Sequence, residues 1–211
     1  MFSTFWLDCG RSCGVDVGAL LLIGDSLAMY GAGMVNSQNH PHIDDLVIRL
    51  LNADDPPVIS GAFSEIGWNK PVAQYERYLL RQVAGSQEIL VAEIAGKFAG
   101  YVTVLWRSGY ASFAERKIPE INDFNVLPAF RRRGIGSGLL DRAEEVVAER
   151  SDVVGIGVGM TADYGQAQRM YPRRGYVPDG RGLTQDGEVV KFRQPIVVSD
   201  STVLWFTKNL R

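Results

Sequence analysis

Cysteine and histidine are scarce in this chain of 211 residues. There are two of each, Cys9, Cys13, His40 and His42, all within the first 42 positions. With no further cysteine and no histidine beside the pair, neither a four-ligand zinc site nor a disulfide framework can be assembled there. The expectation is two free thiols in a reducing, cytoplasmic setting, and no metal. Long apolar runs are also missing. The longest, Val17 to Ile23, is far short of the roughly 20 residues a membrane span needs. Asp8 and Asp16 outweigh Arg11 where a secretory leader would carry positive charge. Nor is one sign of charge in excess: 22 Lys and Arg against 24 Asp and Glu leave −2, which offers nucleic acid no basic footprint. Neither membrane nor nucleic acid is expected as a partner.

The hydrophobic content of 46% suits one globular domain with a sizeable core. Residues 1–42 stand apart. They hold every cysteine and histidine and end in the turn-rich stretch from Asn36 to His42. We read them as an extension, either a weakly ordered arm or an over-long start, and residues 43–211 as the folded domain. From Asp44 the pattern alternates. Val47–Leu51 reads as a strand. Asn52 to Asp55 supplies an N-cap, and Pro56 and Pro57 open a helix reaching about Ile66. A second helix is expected over Val72–Val83. Glu88–Ile94 and Phe98–Trp106 form a hairpin across Ala95-Gly96-Lys97. Glu120–Leu127 is a strand stopped by Pro128. Gly134–Arg150 is the clearest helix, with Ile135, Leu139, Leu140, Ala143, Val146 and Val147 on one face. Asp152–Gly159 is a strand, Tyr164–Arg173 a short helix, and Gly175 begins another strand. The stretch from Pro178 to Ser199 reads as irregular before a last strand, Thr202–Thr207. Hairpins first and alternation later imply a mixed α/β sheet.

The chemistry concentrates where the strand ending at Leu127 runs through Arg131-Arg132-Arg133-Gly134-Ile135-Gly136-Ser137 into the clearest helix. A helix N-terminus has unpaired N–H groups and a partial positive charge, so it binds anions. Glycines let a phosphate approach the backbone, and three arginines add full charge. A Walker loop is ruled out because Ser137-Gly138 follows Gly136 instead of Lys-Ser/Thr. A dinucleotide fingerprint is ruled out because Pro128 and three arginines separate the strand from the glycines.

Arg131-x-x-Gly134-x-Gly136 at a strand-to-helix junction resembles the acetyl-coenzyme A loop of the GNAT N-acetyltransferase superfamily. Asn122 to Pro128 is similar to that family's fourth strand. The segment Ala167-Gln168-Arg169-Met170-Tyr171-Pro172-Arg173-Arg174-Gly175-Tyr176 resembles its second motif, Ala-x-x-x-Tyr-x-x-x-Gly-Phe/Tyr. The resemblance covers roughly Asp44 to Arg211. It implies a mixed, mostly antiparallel twisted sheet of six to seven strands with about four helices and a splayed central strand pair. It implies acetyl-CoA as co-substrate and direct transfer to a small-molecule or peptide amine, and leaves a homodimer open. One departure is that Tyr164 stands where the family often has asparagine.

The resemblance also assigns roles. The backbone of Phe124, Asn125 and Val126 would pair with the pantetheine arm. The loop from Arg131 to Ser137 would hold the phosphates, with Ala167 and Arg174 contributing from the second motif. Amine acetylation needs a proton acceptor, because an ordinary lysine-type amine has a pKa of about 10.4. Glu120, in the position that histone-type members use as base, Asp123 and a water chain are the alternatives. Tyr171 matches the tyrosine aimed at the leaving sulfur, where a protonated phenol can donate. Trp68, Tyr75, Trp106 and Tyr110 are either pocket walls for the acceptor or core. Two other readings remain: a non-catalytic acetyl-CoA-binding module of the same fold, and an esterase. Leu20 to Leu27 resembles the nucleophile block of Gly-Asp-Ser-Leu esterases, with Ser26 as nucleophile. That family draws its histidine from near the C-terminus, and this chain has none there.

Overall fold

The computed structural model describes residues 45–211. Cys9, Cys13, Ser26, His40, His42 and the expected boundary at residue 43 lie outside the described residues. The elements are β1 (Leu46–Leu50), α1 (Asp55–Glu65), α2 (Val72–Val83), β2 (Gln87–Ile94), β3 (Lys97–Leu105), α3 (Ala111–Arg116), β4 (Glu120–Val126), α4 (Ile135–Ala148), β5 (Val153–Gly159), α5 (Gly165–Arg173), β6 (Val177–Gln185), β7 (Glu188–Val189) and β8 (Thr202–Asn209). The eight strands form one sheet in the order β1-β2-β3-β4-β5-β8-β6-β7. β4 and β5 are parallel and every other neighbouring pair is antiparallel.

Two layers of helix cover the sheet. The alternation of β2 shows why both are needed. Its Leu90, Ala92 and Ile94 join the core beneath α4 and α5, while Ile89 and Val91 join the core beneath α1 and α2. A strand buried on both faces reads as a continuous apolar run. The hairpin from β2 to β3 turns on Ala95 (φ 50°) and Gly96 (φ 72°), two left-handed residues whose twist matches that of paired strands. All six residues on the apolar face of α4 are buried.

The structure departs from the sequence reading in three places. Asp54 is the N-cap of α1 without a side-chain cap. Asp55 instead accepts from Arg49 (2.7 and 2.8 Å) and from the Asn52 N–H (2.7 Å), tying the helix start to β1. α3 is a fifth helix, too short at six residues to show a helical period. The stretch read as irregular after Pro178 carries most of β6 and all of β7, which makes eight strands among the described residues. Its pairing with β8 is interrupted between Pro178 and Leu183, where Gly180 and Gly182 take positive φ, so turn-forming residues sit inside a strand.

Candidate active site

β4 sets the geometry of the site. On its β3 side, Tyr101 pairs with Asn125 and Thr103 with Asn122. One residue on β3, Val102, therefore faces two on β4, so β4 holds a bulge at Asp123 and Phe124. Asp123 takes φ 41° there, a left-handed conformation that non-glycine residues adopt at a cost. The extra residue reverses the alternation of the side chains. Ile121, Phe124 and Val126 all join the α4 core, while Glu120 with Asn122 and Asp123 with Asn125 form hydrogen-bonded pairs.

On its other side, β4 pairs with β5 only at Glu120–Gly155 and Ile121–Ile156. Beyond that point the two strands part, giving the splayed pair. The Leu127 N–H is bound to the Ala99 carbonyl (2.9 Å), so alternation turns the backbone groups of Val126 and Phe124 away from β3 and into the opening. The Val126 carbonyl meets Arg131 Nε there at 3.0 Å. Gly100 on β3 permits the arrangement, since a Cβ would lie 2.5 Å from the Asn125 carbonyl oxygen.

The two carboxylates on β4 differ in kind. Asp123 accepts five hydrogen bonds: from Lys70 Nζ (3.0 Å) and Asn125 Nδ2 (2.8 Å) on Oδ1, and from Tyr101 (2.6 Å), Tyr78 (2.8 Å) and Gln74 (3.2 Å) on Oδ2. A carboxylate has about four lone-pair sites, so this one has no site left for a further donor. Glu120 lies buried at the first of the two β4–β5 contacts, with Ser108 Oγ donating to it at 2.5 Å, Asn122 Nδ2 donating, and the Gly109 N–H contributing. No cation stands among these partners. Burial pushes its pKa above the ordinary carboxylate value, against the opposing effect of the three donors. Lys70, Tyr78, Tyr101, Gln74 and Ser108 carry no signal in the sequence, because they come from separate segments that only the fold brings together.

The loop after β4 ends on Gly134 (φ 80°), the N-cap of α4, with no side-chain cap. The first N–H groups of α4 are thus left for an outside acceptor. Gly136 and Gly138 have a packing reason too. A Cβ on Gly136 would sit 3.2 Å from the Phe124 ring, and one on Gly138 would sit 3.1 Å from Leu46. Arg131, Arg132 and Arg133 are exposed, and Arg133 lies over the Phe130 ring. Between the first turn of α4 and α5 runs a cleft of about 470 Å³ lined by Ser137, Gln166, Arg169, Met170, Arg173 and Arg174. Arg174 gives its guanidinium to Asp141 (2.6 Å) and Glu144 (3.1 Å), which leaves Arg169 and Arg173 as the nearer charges for an anion.

Tyr171 on α5 is 4% exposed and packs near Tyr176 and Phe206. Burial alone raises its pKa well above that of a free phenol, so it is a protonated donor at neutral pH. Ala167 packs against the same core. Of the four aromatic residues, Tyr75 is core, and Trp68 stacks on Phe63. Trp106 lies beneath Arg150. Tyr110 stacks on Trp205 and donates to Asp179 on β6 (2.9 Å). Among the described residues no three His, Cys, Asp or Glu side chains converge as a metal site, and no described helix is long and apolar enough to cross a membrane.

Comparison with known proteins extends this picture. The family model described as "Acetyltransferase (GNAT) family" matches residues 52–176. An uncharacterized N-acetyltransferase of Archaeoglobus fulgidus is 35% identical over 105 residues, 48% of this chain and 67% of that protein. Among solved structures, YncA of Salmonella typhimurium with its cofactor acetyl-CoA superposes with a TM-score of 0.58 at 20% identity. The match covers 79% of this chain and 95% of that one. A ribosomal-protein-alanine N-acetyltransferase of Brucella melitensis gives 0.58 at 20% identity, covering 77% and 99%. These structural likenesses speak to the fold.

Proposed function

The chain belongs to the acetyltransferase (GNAT) family, and from that premise we propose that it moves an acetyl group from acetyl-CoA directly to a primary amine within a ternary complex. One observation carries the reading. The opened edge of β4 leads straight to the uncapped N-terminus of α4 and an arginine-lined cleft. An extended amide-bearing arm that ends in phosphates matches that sequence of donors. The backbone of Phe124 and Val126 would hold the arm, whereas that of Asn125, expected to share the task, is turned toward β3 by the same alternation. Arg131, Arg132, Arg133 and the N–H groups of Gly134, Ile135, Gly136 and Ser137 would hold the phosphates. Ala167 would pack beside the arm. The thioester supplies an activated acyl carbon and a thiolate leaving group.

In the transfer, the amine nitrogen bonds to the acyl carbon, the carbon–sulfur bond breaks, and one proton passes from nitrogen toward sulfur. Glu120 suits the role of proton acceptor because burial raises its pKa and no cation holds it ionised. Its proton would arrive through Ser108, whose hydroxyl is bonded to it and can pass one proton on while taking up another. Tyr171 would donate to the departing sulfur. The scarcity of cysteine agrees with a reducing, cytoplasmic location.

The test is release of free thiol from acetyl-CoA across a panel of primary amines, repeated on Glu120→Gln and Tyr171→Phe. Amine-dependent release that falls in both variants is the expected outcome. Binding of acetyl-CoA with no release for any amine would point to a non-catalytic module. Full activity in both variants would remove the two role assignments.

A further inference from the structure

We propose that Lys70 and Asp123 are positioning residues that lock the β4 bulge in the form that opens the strand edge toward the donor. This rests on the reading that the opened edge holds the pantetheine arm. Lys70 comes from the segment joining α1 to α2, far from β4 in sequence, yet its side chain is 6% exposed. It donates to Asp123 (3.0 Å) and to Tyr101 (2.7 Å), and it lies over the rings of Phe63 and Tyr101, 5.1 and 5.2 Å from their centroids. A lysine is kept charged at that depth only by a paired anion and its hydrogen bonds. The anion belongs to the residue whose own backbone sits at φ 41°.

The two facts are linked. A left-handed non-glycine residue persists only when its surroundings over-determine it, and the side chain of Asp123 is held by five donors from β3, β4, α2 and the Lys70 segment. Release of that side chain lets the bulge relax toward regular pairing, which would shift side-chain parity and turn the Phe124 and Val126 backbone groups. The cluster therefore ties the α1–α2 layer to the strand that binds the donor. The same five bonds that secure the bulge leave the Asp123 oxygens no site for an approaching amine, which is why its role is to position and not to transfer.

The experiment is calorimetric titration of acetyl-CoA into the intact chain and three variants: Lys70→Met, Lys70→Met with Asp123→Asn, and Tyr78→Phe. Bulge strain of the usual size corresponds to a loss of affinity between about fivefold and a hundredfold for Lys70→Met. The double variant, which removes both charges together, is expected to recover part of that loss, because no buried charge is left unpaired. Tyr78 is half-buried and supplies one bond of five, so Tyr78→Phe is expected to fold and to lose about twofold to fivefold. That variant keeps the test open if Lys70→Met fails to fold. Wild-type affinity in Lys70→Met and in Tyr78→Phe would overturn the inference alone. A wild-type chain that does not bind acetyl-CoA would overturn the underlying reading and the inference with it.

Discussion

Replacing Gly100 by alanine tests whether the backbone of β4 is the element that must be held in place. An added Cβ would lie 2.5 Å from the Asn125 carbonyl oxygen and 3.0 Å from Val126 Cα. Ordinary contact begins at 3.4 Å, so the strands must part by about 0.9 Å at the closest atom. The obstacle is backbone, not the end of a flexible side chain, and it cannot rotate away. Overpacking of this kind costs roughly 1–3 kcal/mol, a fall in Tm of about 3–10 °C for a domain of this size. The effect on catalysis should be larger, because a displacement near 1 Å of a positioned reactant costs on the order of 10²-fold. Gly61, inside α1 with nothing within 4 Å of an added Cβ, is the control. Gly61→Ala should stabilise by about 0.5–1 kcal/mol and leave turnover unchanged. The measurements are thermal unfolding by circular dichroism and amine-dependent thiol release. Unchanged kcat/KM in Gly100→Ala would refute the assignment of the β4 edge to donor binding.

Three other outcomes follow from the geometry. The pKa of Glu120 is raised in the folded state, so its contribution to stability is present below its unfolded value and is lost as pH rises through the folded one. Glu120→Gln should therefore gain stability relative to wild type as pH rises toward neutral, while thiol release falls on the order of 10²-fold and loses its acidic limb; pH-dependent unfolding and rate profiles check both. Tyr171→Phe removes a hydroxyl whose pKa is shifted by burial alone, so Tm should move by no more than about 2 °C while kcat drops on the order of 10²-fold. Gly155→Ala would place a Cβ 2.1 Å from the buried Phe113 ring and should destabilise by about 3 kcal/mol or more. Adding Phe113→Leu should recover part of that in denaturant titration.

Much of the architecture was legible in the residue order because it depends on local period and on turn chemistry. The apolar face of α4, the start and end of α2, and the Ala95-Gly96 hairpin are properties of a few consecutive residues. The same holds for the glycine loop, whose helix N-terminus is a local consequence of Gly134 and the residues after it. The spacing of Ile121, Phe124 and Val126 also breaks strict alternation, a written trace of the bulge. α3 and the strand through Pro178 to Gln185 were not legible. Six residues do not complete a helical pattern, and a strand interrupted by left-handed glycines is held by pairing with β8, not by propensity.

The sequence by itself therefore determined the layered sheet, the phosphate-type loop and the set of acidic residues on the strand before it. Those features follow from short-range periodicity and from which residue types can bind an anion. The tertiary structure alone decided how the two carboxylates differ. Glu120 and Asp123 are three positions apart and alike in charge. Burial away from cations raises the pKa of one, while Lys70 and two tyrosines from α2 and β3 saturate the other. What a carboxylate can do is set by what surrounds it in space, and Ser108, Lys70, Tyr78 and Tyr101 lie 12 to 53 positions away along the chain from the carboxylates they bond.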